Sequence, residues 1–589
     1  MIRLSEPDSL NIFQKRIWWL SLFVVFLFFV LLLRLWYLQI INGKQYRKRS
    51  ENNRIRLKEI PAYRGKILDR NGLVLVDNKP SYNLYIIPEE VDDLGLLLNR
   101  LSKIIGLDPQ SIQKKILRIR NHFSFKPVCI KRDISLDDVS RIESNILMLP
   151  GTIIRVEGKR NYIYKELAAH LIGYISRNIR GKSGIEYRWE KVLSGEPGGM
   201  QIEVDATGRM IDVISKSPSI PGADVYLTID KRLQQKAEQL LKGKRGAIVA
   251  MDPYNGEILA MASSPSFDPN IFVDGMDQKT WQKISNSMDH PLQNRAINGL
   301  YPPASLFKVV VSSAGLQEGM ITPRKKFICT GRFLYGNWIY NCWKRNGHGE
   351  VDLHKAIRES CDIYFYNLGK MLGVDKIAHY ARMFGLGRKT GIDVGNESTG
   401  LVPTSRWKLK RFGVPWQGGE TLSLAIGQSY LLVTPIQMAV MYSAVFNGGI
   451  LYKPQVTKLI KRPNGDIIHR FKPQIKGRLH IKPEYLDIIK QALIAVVNEP
   501  HGTGIKAKIK GITVAGKTGT VQLMEKKKKE EKEERHNEIK DHAWFVGVAP
   551  AKHPSIVVAV IIEHGGHGGS ASAPIARELI KEFLKTHVR

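Results

Sequence analysis

The longest apolar run of the chain lies near its N-terminus. Residues 17–41 carry one charge, Arg34, and a hydrocarbon core about 30 Å thick needs about 20 such residues to cross it. Aromatic residues that favour a membrane interface lie near both ends of the run: Trp18, Trp19, Trp36 and Tyr37. A cleaved signal peptide is the alternative, but the run exceeds the usual apolar core of such peptides and no small-residue cleavage site follows it. The pattern predicts an uncleaved transmembrane helix over 17–41, after a short cytoplasmic tail of residues 1–16.

After this helix the pattern changes to short segments of two kinds. A strand-like run at Tyr82–Ile87 is followed by a helical stretch at Asp93–Ile105, and no internal repeat is apparent. A segment rich in Pro, Gly and Ser at 215–222 indicates a boundary. We therefore expect an α+β pedestal domain over 42–222 and a second domain over 223–589, so that the fold class is α+β.

The second domain begins with a predicted β-hairpin. Apolar β-forming residues of Gly246–Met261 flank turn residues at 252–256, which favours two antiparallel strands. Three further strands and a closing helix are predicted downstream, at 511–520, 542–549, 556–563 and 573–587. Together these elements predict an antiparallel sheet flanked by helices.

Composition and charge narrow the function classes. The chain of 589 residues carries 89 Lys and Arg against 55 Asp and Glu, a formal net charge of +34. No zinc-finger spacing, RNA-binding pattern or basic region with heptads is present, so a basic surface beside anionic lipid and cell wall explains this charge better than nucleic acid does. The run 525–540 mixes both charges without an apolar face, and a solvated loop is expected there rather than a helical arm or a nucleic-acid patch. We expect no nucleic-acid partner.

Three short motifs stand in a fixed order along the second domain. They are Ser305-Leu-Phe-Lys308, Ser360-Cys-Asp362 and Lys517-Thr-Gly-Thr520. Each motif alone is weak, but in this order they match the signature of the serine enzymes that react with β-lactams. The set predicts nucleophilic acyl transfer by a serine.

The first motif places a nucleophile beside a base. Tyr301-Pro-Pro-Ala304 is a stiff lead-in and residues 308–316 are apolar enough for a buried helix, so Ser305 should begin that helix. Residues three apart share a helix face, about 5–6 Å apart at Cβ, so Lys308 can reach the Ser305 hydroxyl. A buried lysine near other cations has a lowered pKa and can act as a general base. The alternative, a surface serine and lysine, fits poorly with so apolar a helix.

The second motif supplies a proton relay. Ser360 and Asp362 occupy alternate positions of a predicted turn, which directs both side chains one way and Cys361 the other. The Ser360 hydroxyl can then relay a proton between Lys308, Lys517 and the leaving amine.

The third motif should form an edge strand that faces the cleft. Gly519 would let a substrate peptide approach, and the hydroxyl groups of Thr518 and Thr520, with the charge of Lys517, suit its C-terminal carboxylate. The backbone N–H groups of Ser305 and Thr520 are the expected oxyanion hole.

With these motifs the chain resembles the class B penicillin-binding proteins, and among them the elongation-type transpeptidases of the penicillin-binding protein 2 kind. Further matching segments are Arg64–Gly72, Gly427-Gln-Ser, Thr434–Ala439 and His542–Gly547. The resemblance implies a non-catalytic pedestal and a peptidoglycan D,D-transpeptidase domain that acts on stem peptides ending in D-Ala-D-Ala and is acylated by β-lactams. It also implies a RodA-type glycosyltransferase partner within the machinery that elongates the cell and maintains its shape.

The substrate determines the expected compartment. Seven basic residues follow the predicted helix between positions 44 and 58, against three before it. Taken literally, this count places the C-terminal part in the cytoplasm, but the rule weakens when a long domain follows. Because peptidoglycan lies outside, we expect a single-pass protein of the cytoplasmic (inner) membrane with its catalytic domain on the exterior, periplasmic side.

One residue departs from the family pattern, and two other protein classes remain open. The general motif is Ser-x-Asn, so the resemblance implies that Asp362 is a substrate-binding residue, although an aspartate cannot donate the amide hydrogen bond that an asparagine gives to substrate. A β-lactam hydrolase would need a base, commonly a Glu, that activates a water, and none is identified. A β-lactam sensor would usually carry several membrane spans and a cytoplasmic signalling domain.

Three of the four cysteines lie in one turn-rich stretch. Cys329, Cys342 and Cys361 lie on either side of His348, and three thiolates with one imidazole form a recognised tetrahedral zinc set. Some elongation-type penicillin-binding proteins are similar in carrying zinc here, and His348-Gly349 and Cys361 match that pattern. The alternatives are a disulfide, plausible outside the membrane, or three buried thiols with a surface histidine. We expect one structural zinc ion that ties this loop to the back of the Ser360 turn.

Overall fold

A computed structural model describes residues 8–47, 55–120, 127–204, 210–522 and 540–587. The run 525–540, predicted to be a solvated loop, lies outside these residues except for Lys540. The chain divides into two compact units. The first comprises Met1–Ala62, Tyr82–Val156 and Glu196–Ile220, and the second comprises Tyr63–Ser81, Glu157–Gly195 and Pro221–Arg589.

The second unit contains two segments of the region for which a pedestal was predicted. The cause is backbone pairing between residues far apart in sequence. Ile67–Leu68 pairs in parallel with Asp224–Leu227, and that strand pairs with Thr457–Lys461. The turn-rich stretch at 215–222 gives a local signal only, so it could not reveal this long-range pairing.

The first unit begins with the predicted membrane helix. The α-helix Asp8–Trp36 continues as a π-helical turn, Tyr37–Ile41. The stretch Phe13–Ile41 is long and apolar enough to cross a membrane, with a mean hydropathy of 2.4. Its large apolar side chains are exposed, which suits contact with lipid rather than with a protein core. The structure agrees with the helix predicted over 17–41.

The rest of the first unit contains a small sheet and its own apolar core. Ile55–Ile60, Gly198–Val204 and Met210–Ser217 form a three-stranded antiparallel sheet. The helix Leu94–Ile105 begins where predicted, because the Asp93 carboxylate accepts a hydrogen bond from the Leu96 N–H. The other elements are the strand Val128–Lys131, the helices Pro109–Arg120 and Leu136–Ser144, and the 3₁₀ turns Pro88–Glu90 and Ile146–Met148. The strands Val74–Ile86 and Thr152–Tyr162 contribute residues to both units.

The second unit is built around one antiparallel sheet of five strands. In spatial order the strands are Ile258–Ser264, Gly246–Met251, Ile556–Ile562, His542–Ala549 and Ala515–Val521. The predicted hairpin and the three downstream strands are all present in this sheet. The strand that carries Lys517 lies at its edge, as expected, but begins at Ala515 rather than at 511, because Ile509 and Ile512 bridge to each other in a turn.

Helices cover this sheet. The helix expected at 573–587 begins earlier, so that Gly568–His587 includes the small residues before Pro574. Two helices, Lys308–Gln317 and Pro435–Phe446, are buried nearly all round, which their lack of a polar face requires. The remaining helices are Ala169–Ile172, Gly184–Arg188, Glu190–Leu193, Lys231–Leu241, Asn270–Val273, Gln278–Ser285, Arg295–Asn298, Leu353–Arg358, Asp362–Leu372, Val374–Met383, Ser405–Phe412, Gly418–Ala425 and Pro483–Asn498.

Shorter strand pairs surround this framework. Phe327–Cys329 pairs with Gly349–Val351, and Arg332–Tyr335 pairs with Trp338–Asn341. Elsewhere Ile450–Tyr452 pairs with Ile475–Arg478, and Ile467–Arg470 pairs with Thr457–Lys461. The first two pairs carry or flank the predicted zinc ligands. Mixed helices and sheets around an antiparallel core confirm the predicted α+β class.

A buried ion cluster joins separate segments of the second unit. Glu186 accepts hydrogen bonds from Arg64 Nε at 2.7 Å and Arg160 Nε at 2.8 Å, and all three side chains are almost fully buried. Arg64 also contacts Glu190 at 2.7 Å. Burial alone raises the pKa of the Glu186 carboxyl, but the two guanidinium groups outweigh it, so this pKa is lowered. The carboxylate therefore stays charged in the folded protein and holds both arginines.

Glu186→Gln should destabilise the second unit by about 3–5 kcal/mol at pH 7, because two buried guanidinium groups lose their counter-ion. Since the folded-state pKa of Glu186 is lowered, its stabilising effect is present above the ordinary glutamate pKa and is lost as the pH falls through the lowered value. Denaturant unfolding at neutral and acidic pH measures this difference. Glu190→Gln is the matched control. Because Glu190 is partly exposed, its substitution should lower the free energy of unfolding less than Glu186→Gln does. Equal unfolding midpoints for the two variants would contradict this role.

Candidate active site

Ser305 lies in a tight turn in front of the buried helix. It is part of a 3₁₀ turn, Ala304–Phe307, and the α-helix begins at Lys308, so the serine precedes the helix rather than beginning it. Ala304 has a φ of +48°, which is unusual for a residue with a Cβ. Its N–H donates to the Gly427 carbonyl at 2.8 Å. A Cβ at Gly427 would lie 2.1 Å from the Ala304 carbonyl oxygen, so only glycine fits there.

Three side chains hold this turn from outside. Trp544 Nε1 donates to the Pro302 carbonyl at 3.0 Å, and the Tyr442 hydroxyl donates to the Leu306 carbonyl at 3.1 Å. The Tyr301 hydroxyl donates to Glu563 Oε1 at 2.7 Å. The sheet, the buried helix Pro435–Phe446 and the stiff lead-in therefore all fix the backbone of the nucleophile turn.

Lys308 is fully buried, and its ammonium group makes three hydrogen bonds. The acceptors are the Ser360 carbonyl at 2.9 Å, Ser360 Oγ at 3.2 Å and Asp362 Oδ1 at 2.7 Å. Within the described part of the chain, Ser305 Oγ is not among the hydrogen-bond partners of Lys308, although the two residues are only three apart in sequence. The lysine is therefore anchored to the second motif.

The second motif forms the predicted turn. Ser360 has a φ of +56° and links the helices Leu353–Arg358 and Asp362–Leu372. Asp362 uses both carboxylate oxygens, because Oδ1 accepts from Lys308 and Oδ2 accepts from the Trp343 N–H at 3.0 Å. Cys361, between them, points to a group of buried sulfur atoms. Ser360 and Asp362 thus face the lysine while Cys361 faces away, as the alternation predicts.

Lys517 is the second fully buried lysine of the site. Its side chain donates to the Thr518 carbonyl at 3.3 Å. Burial is the main cause that lowers its pKa well below the usual lysine value, the nearby Lys308 charge adds to this, and Asp362 opposes it. A neutral amine is therefore accessible at Lys517 at a much lower pH than at an ordinary lysine.

The rest of the third motif is packed against neighbouring loops. The Thr518 hydroxyl contacts the Thr503 hydroxyl at 2.7 Å, and the Gly568 N–H donates to Thr520 Oγ1 at 3.4 Å. A Cβ at Gly519 would lie 3.1 Å from the Pro303 carbonyl oxygen. The nucleophile turn therefore leaves little room for a side chain at 519. The predicted carboxylate contacts and oxyanion hole stay predictions.

Two residues that contact the site were missed from sequence. Thr503 contacts the hydroxyl of Thr518, and the Trp343 N–H holds Asp362. Trp343 acts through its backbone, which leaves no signature in the residue type. The Gly-Thr-Gly at 502–504 was the available signal for Thr503, because flanking glycines permit close approach of a loop.

The four predicted zinc ligands come together in one buried cluster. One donor atom from each of Cys329, Cys342, His348 and Cys361 lies within 4.8 Å of all the others. His348 Nδ1 lies 3.4 Å from the Cys329 sulfur and 3.5 Å from the Cys342 sulfur. Tetrahedral zinc with its usual bond lengths places sulfur and nitrogen ligands about 3.5 Å apart. Cys329, Cys342 and Cys361 are free thiols, so Cys329 and Cys342 are not joined as a disulfide.

The donor set fits a soft divalent cation. A hydrogen bond from Cys361 is the main cause that lowers the pKa of the Cys342 thiol, and the same bond, with burial, raises that of Cys361. A bound cation would take the place of the thiol protons as the charge that holds the sulfurs together. His348 directs Nδ1 at the sulfurs, while its Nε2 is buried and has no partner among the described residues.

Comparison with known proteins shows where this arrangement recurs. Residues 246–581 match the family model of the penicillin binding protein transpeptidase domain, and residues 59–227 match that of the penicillin-binding protein dimerisation domain. The peptidoglycan D,D-transpeptidase MrdA of Haemophilus influenzae is 35% identical over 602 aligned residues, covering 98% of this chain and 92% of that protein. MrdA of Escherichia coli is 34% identical, covering 94% of this chain and 92% of that protein.

A solved structure gives the same result. The complex of penicillin-binding protein PBP2 with MreC from Helicobacter pylori matches with a TM-score of 0.78 and 28% identity, covering 91% of this chain and 99% of that chain. Both domain matches, the near full-length relatives and the structural match confirm the resemblance inferred from the motifs. The chain belongs to the penicillin-binding protein transpeptidase family.

Proposed function

We propose that the protein is a membrane-anchored peptidoglycan D,D-transpeptidase with Ser305 as its nucleophile. Ser305 Oγ attacks the carbonyl carbon of the penultimate D-Ala, the peptide bond breaks, and the terminal D-Ala leaves as an amine that gains a proton. An amine of a second stem peptide then attacks the ester, releases Ser305 and forms the cross-link. Attack by water instead gives carboxypeptidase activity.

The convergence of the three motifs is the observation that carries this proposal. Ser305, Lys308, Ser360 and Lys517 come from segments separated by up to about two hundred residues, and all lie in one compact unit. The Ser360 carbonyl and hydroxyl both accept from Lys308, which joins the first two motifs. The Pro303 carbonyl lies against Gly519, which joins the first and third.

Proton movement is assigned to the two lysines and the Ser360 hydroxyl. Lys308, three residues after the nucleophile, first passes a proton to Lys517, and its neutral amine then takes the Ser305 proton. The Ser360 hydroxyl, in contact with Lys308 Nζ, passes a proton to the departing amine. Lys517, with its lowered pKa, accepts or returns a proton without a large free-energy cost. Thr518 and Thr520 then bind the C-terminal carboxylate of the stem peptide, and the N–H groups of Ser305 and Thr520 stabilise the oxyanion.

The membrane helix and the substrate together define the location. The apolar stretch Phe13–Ile41 anchors the chain in the cytoplasmic membrane, and the catalytic unit lies on the exterior side because cross-linked peptidoglycan lies there. The excess of basic residues after the helix does not oppose this orientation, because long domains cross the membrane largely regardless of charge.

The proposed partners are those of cell elongation. The similar protein of Helicobacter pylori was solved with MreC. Another match, with a TM-score of 0.71 and 30% identity over 97% of this chain and 98% of that chain, comes from a peptidoglycan synthase complex that coordinates polymerisation and cross-linking. These two relatives support partners from the elongation machinery. A RodA-type glycosyltransferase that supplies glycan strands is the further partner we propose.

The cysteine and histidine cluster is proposed to hold one structural zinc ion. Cys329, Cys342, Cys361 and His348 would be its ligands, and a bound zinc would fix the loop of residues 329–348 against the helix that follows Cys361. The ion supplies no step of the reaction. Its proposed effect is on rigidity, because Cys361 lies between Ser360 and Asp362 in sequence.

Ser305→Ala should abolish covalent labelling by penicillin. Acylation opens the β-lactam ring without a leaving group, so intact-mass spectrometry should show the wild-type chain heavier by one whole penicillin and the variant unchanged. Ser313→Ala is the matched control, because Ser313 lies in the helix that follows the nucleophile turn and donates to the Val309 carbonyl. Labelling that persists in Ser305→Ala would reject the nucleophile. Rapid loss of the adduct would instead indicate a β-lactam hydrolase.

Lys308→Met should slow acylation of Ser305 by about 10²–10⁴-fold, the range expected when a general base is removed. Methionine fills the space of the buried side chain without its charge, so the second unit should still unfold cooperatively. Stopped-flow or quenched labelling with fluorescent penicillin measures the rate. A wild-type acylation rate in a folded Lys308→Met protein would contradict the role of base.

Protein purified without chelator should contain about one zinc per chain. Cys342→Ser should lose the metal and acylate more slowly, whereas Cys129→Ser, which lies outside the cluster, should keep both. Elemental analysis and the acylation rate are the two measurements. A metal-free and fully active wild-type protein with a Cys329–Cys342 disulfide would refute the proposed ion.

A further inference from the structure

Asp362 stands where the general family motif has asparagine, and both of its carboxylate oxygens are engaged. Oδ1 accepts from Lys308 Nζ at 2.7 Å and Oδ2 accepts from the Trp343 N–H at 3.0 Å. Asp362 is buried. When Lys308 is protonated, both partners of Asp362 are hydrogen-bond donors and neither offers an acceptor.

An asparagine cannot satisfy this pair of donors. Its side chain offers one acceptor oxygen and one donor NH₂ group. In either amide orientation, the NH₂ group would face a donor, either the Lys308 ammonium or the Trp343 N–H. One buried donor would then lose its acceptor, which is costly in a site that excludes water. In this chain the ordinary family residue is therefore incompatible with the observed contacts.

The second donor belongs to the loop that carries the cysteine and histidine cluster. Trp343 directly follows Cys342, and its indole Nε1 donates to the Glu359 carbonyl at 2.9 Å. Asp362 directly follows Cys361, another member of the cluster. The carboxylate thus lies between the buried lysine on one side and the backbone of the cluster loop on the other.

We propose that Asp362 is a positioning residue that fixes the Lys308 ammonium to the loop of residues 329–348. It does not take the asparagine's role of donating a hydrogen bond to substrate, because a carboxylate with two donor partners has no proton to give. The proposal rests on the proposed function only in that Lys308 is taken to act on Ser305. It replaces the substrate contact expected for Asp362 from the sequence.

This role has two consequences that separate it from a substrate contact. Loss of the bridge should slow the acylation step, because Lys308 is misplaced, while initial binding of the β-lactam changes little. It should also loosen the cluster loop at Trp343, and the neighbouring Cys342, which is almost fully buried, should become more accessible. A residue that only contacted substrate would affect neither loop nor thiol.

The test compares Asp362→Asn with Asp352→Asn in the full-length protein. Asp352 makes a matched control, because it caps the helix Leu353–Arg358 by accepting from the Lys355 N–H at 2.8 Å, and asparagine caps a helix equally well. Fluorescent penicillin gives the limiting acylation rate and the dissociation constant separately. Maleimide labelling, located by peptide mass, gives the reaction rate of Cys342.

Asp362→Asn is expected to lower the limiting acylation rate about 100-fold, to leave the dissociation constant within about 3-fold, and to raise the Cys342 labelling rate several-fold, as the bridge lies next to both groups. Asp352→Asn should match wild type in all three. If Asp362→Asn does not fold, Asp362→Glu is used, since it keeps a carboxylate and should retain more activity than Asp362→Ala.

Three results would overturn the proposal. They are a wild-type acylation rate in Asp362→Asn, a defect confined to the dissociation constant, or slow acylation with unchanged Cys342 labelling. If Asp362→Glu is used instead, the proposal is overturned when its activity is no higher than that of Asp362→Ala. Failure of the proposed function would be distinguishable, because wild type itself would then form no adduct on Ser305.

Discussion

The ammonium group of Lys308 lies fully inside the protein, and its hydrogen bonds to Ser360 and Asp362 determine how the site is assembled. A buried cation is tolerated only when acceptors surround it. Those acceptors come from the second motif, so the nucleophile turn and the Ser360 turn must fold against each other. The first motif could therefore not be buried without the second.

The surrounding fold makes such burial possible. The five-stranded sheet and the buried helices Lys308–Gln317 and Pro435–Phe446 provide an apolar framework that offsets the cost of two desolvated lysines. Within that framework the charge of Lys308 lowers the pKa of Lys517 in addition to burial. One structural cause, exclusion of water, thus both holds the motifs together and changes the ionisation of a group that the reaction uses.

Many elements of the fold and several site residues could be predicted from sequence, because they depend on local patterns of residues. The membrane helix, the hairpin at Gly246–Met261 and the edge strand with Lys517 follow from periodicity and turn residues, and all are present. The four cluster residues were also predicted as a group, since cysteines are few and three lie close in sequence. Only the structure shows that the three sulfur atoms meet around His348. The sequence indicated that this cluster lies behind the active site, because Cys361 is part of the second motif.

The rest depends on contacts that residue types do not encode. The segment 63–81 packs with the catalytic unit because Ile67–Leu68 pairs with Asp224–Leu227, more than a hundred residues away, which no local boundary signal reveals. The 3₁₀ start of the nucleophile turn results from its hydrogen bond to Gly427. The second oxygen of Asp362 accepts from the Trp343 N–H, a backbone donor whose position no residue type encodes.

The most direct test of a site governed by buried lysines is the pH dependence of Ser305 acylation by penicillin, measured on wild type from about pH 5 to 9.5. Because the pKa of Lys517 is lowered well below that of an ordinary lysine, the rate should rise at a correspondingly low pH and reach a plateau within this range. A rate that keeps rising toward the ordinary lysine value of about 10.4, with no plateau, would contradict the account.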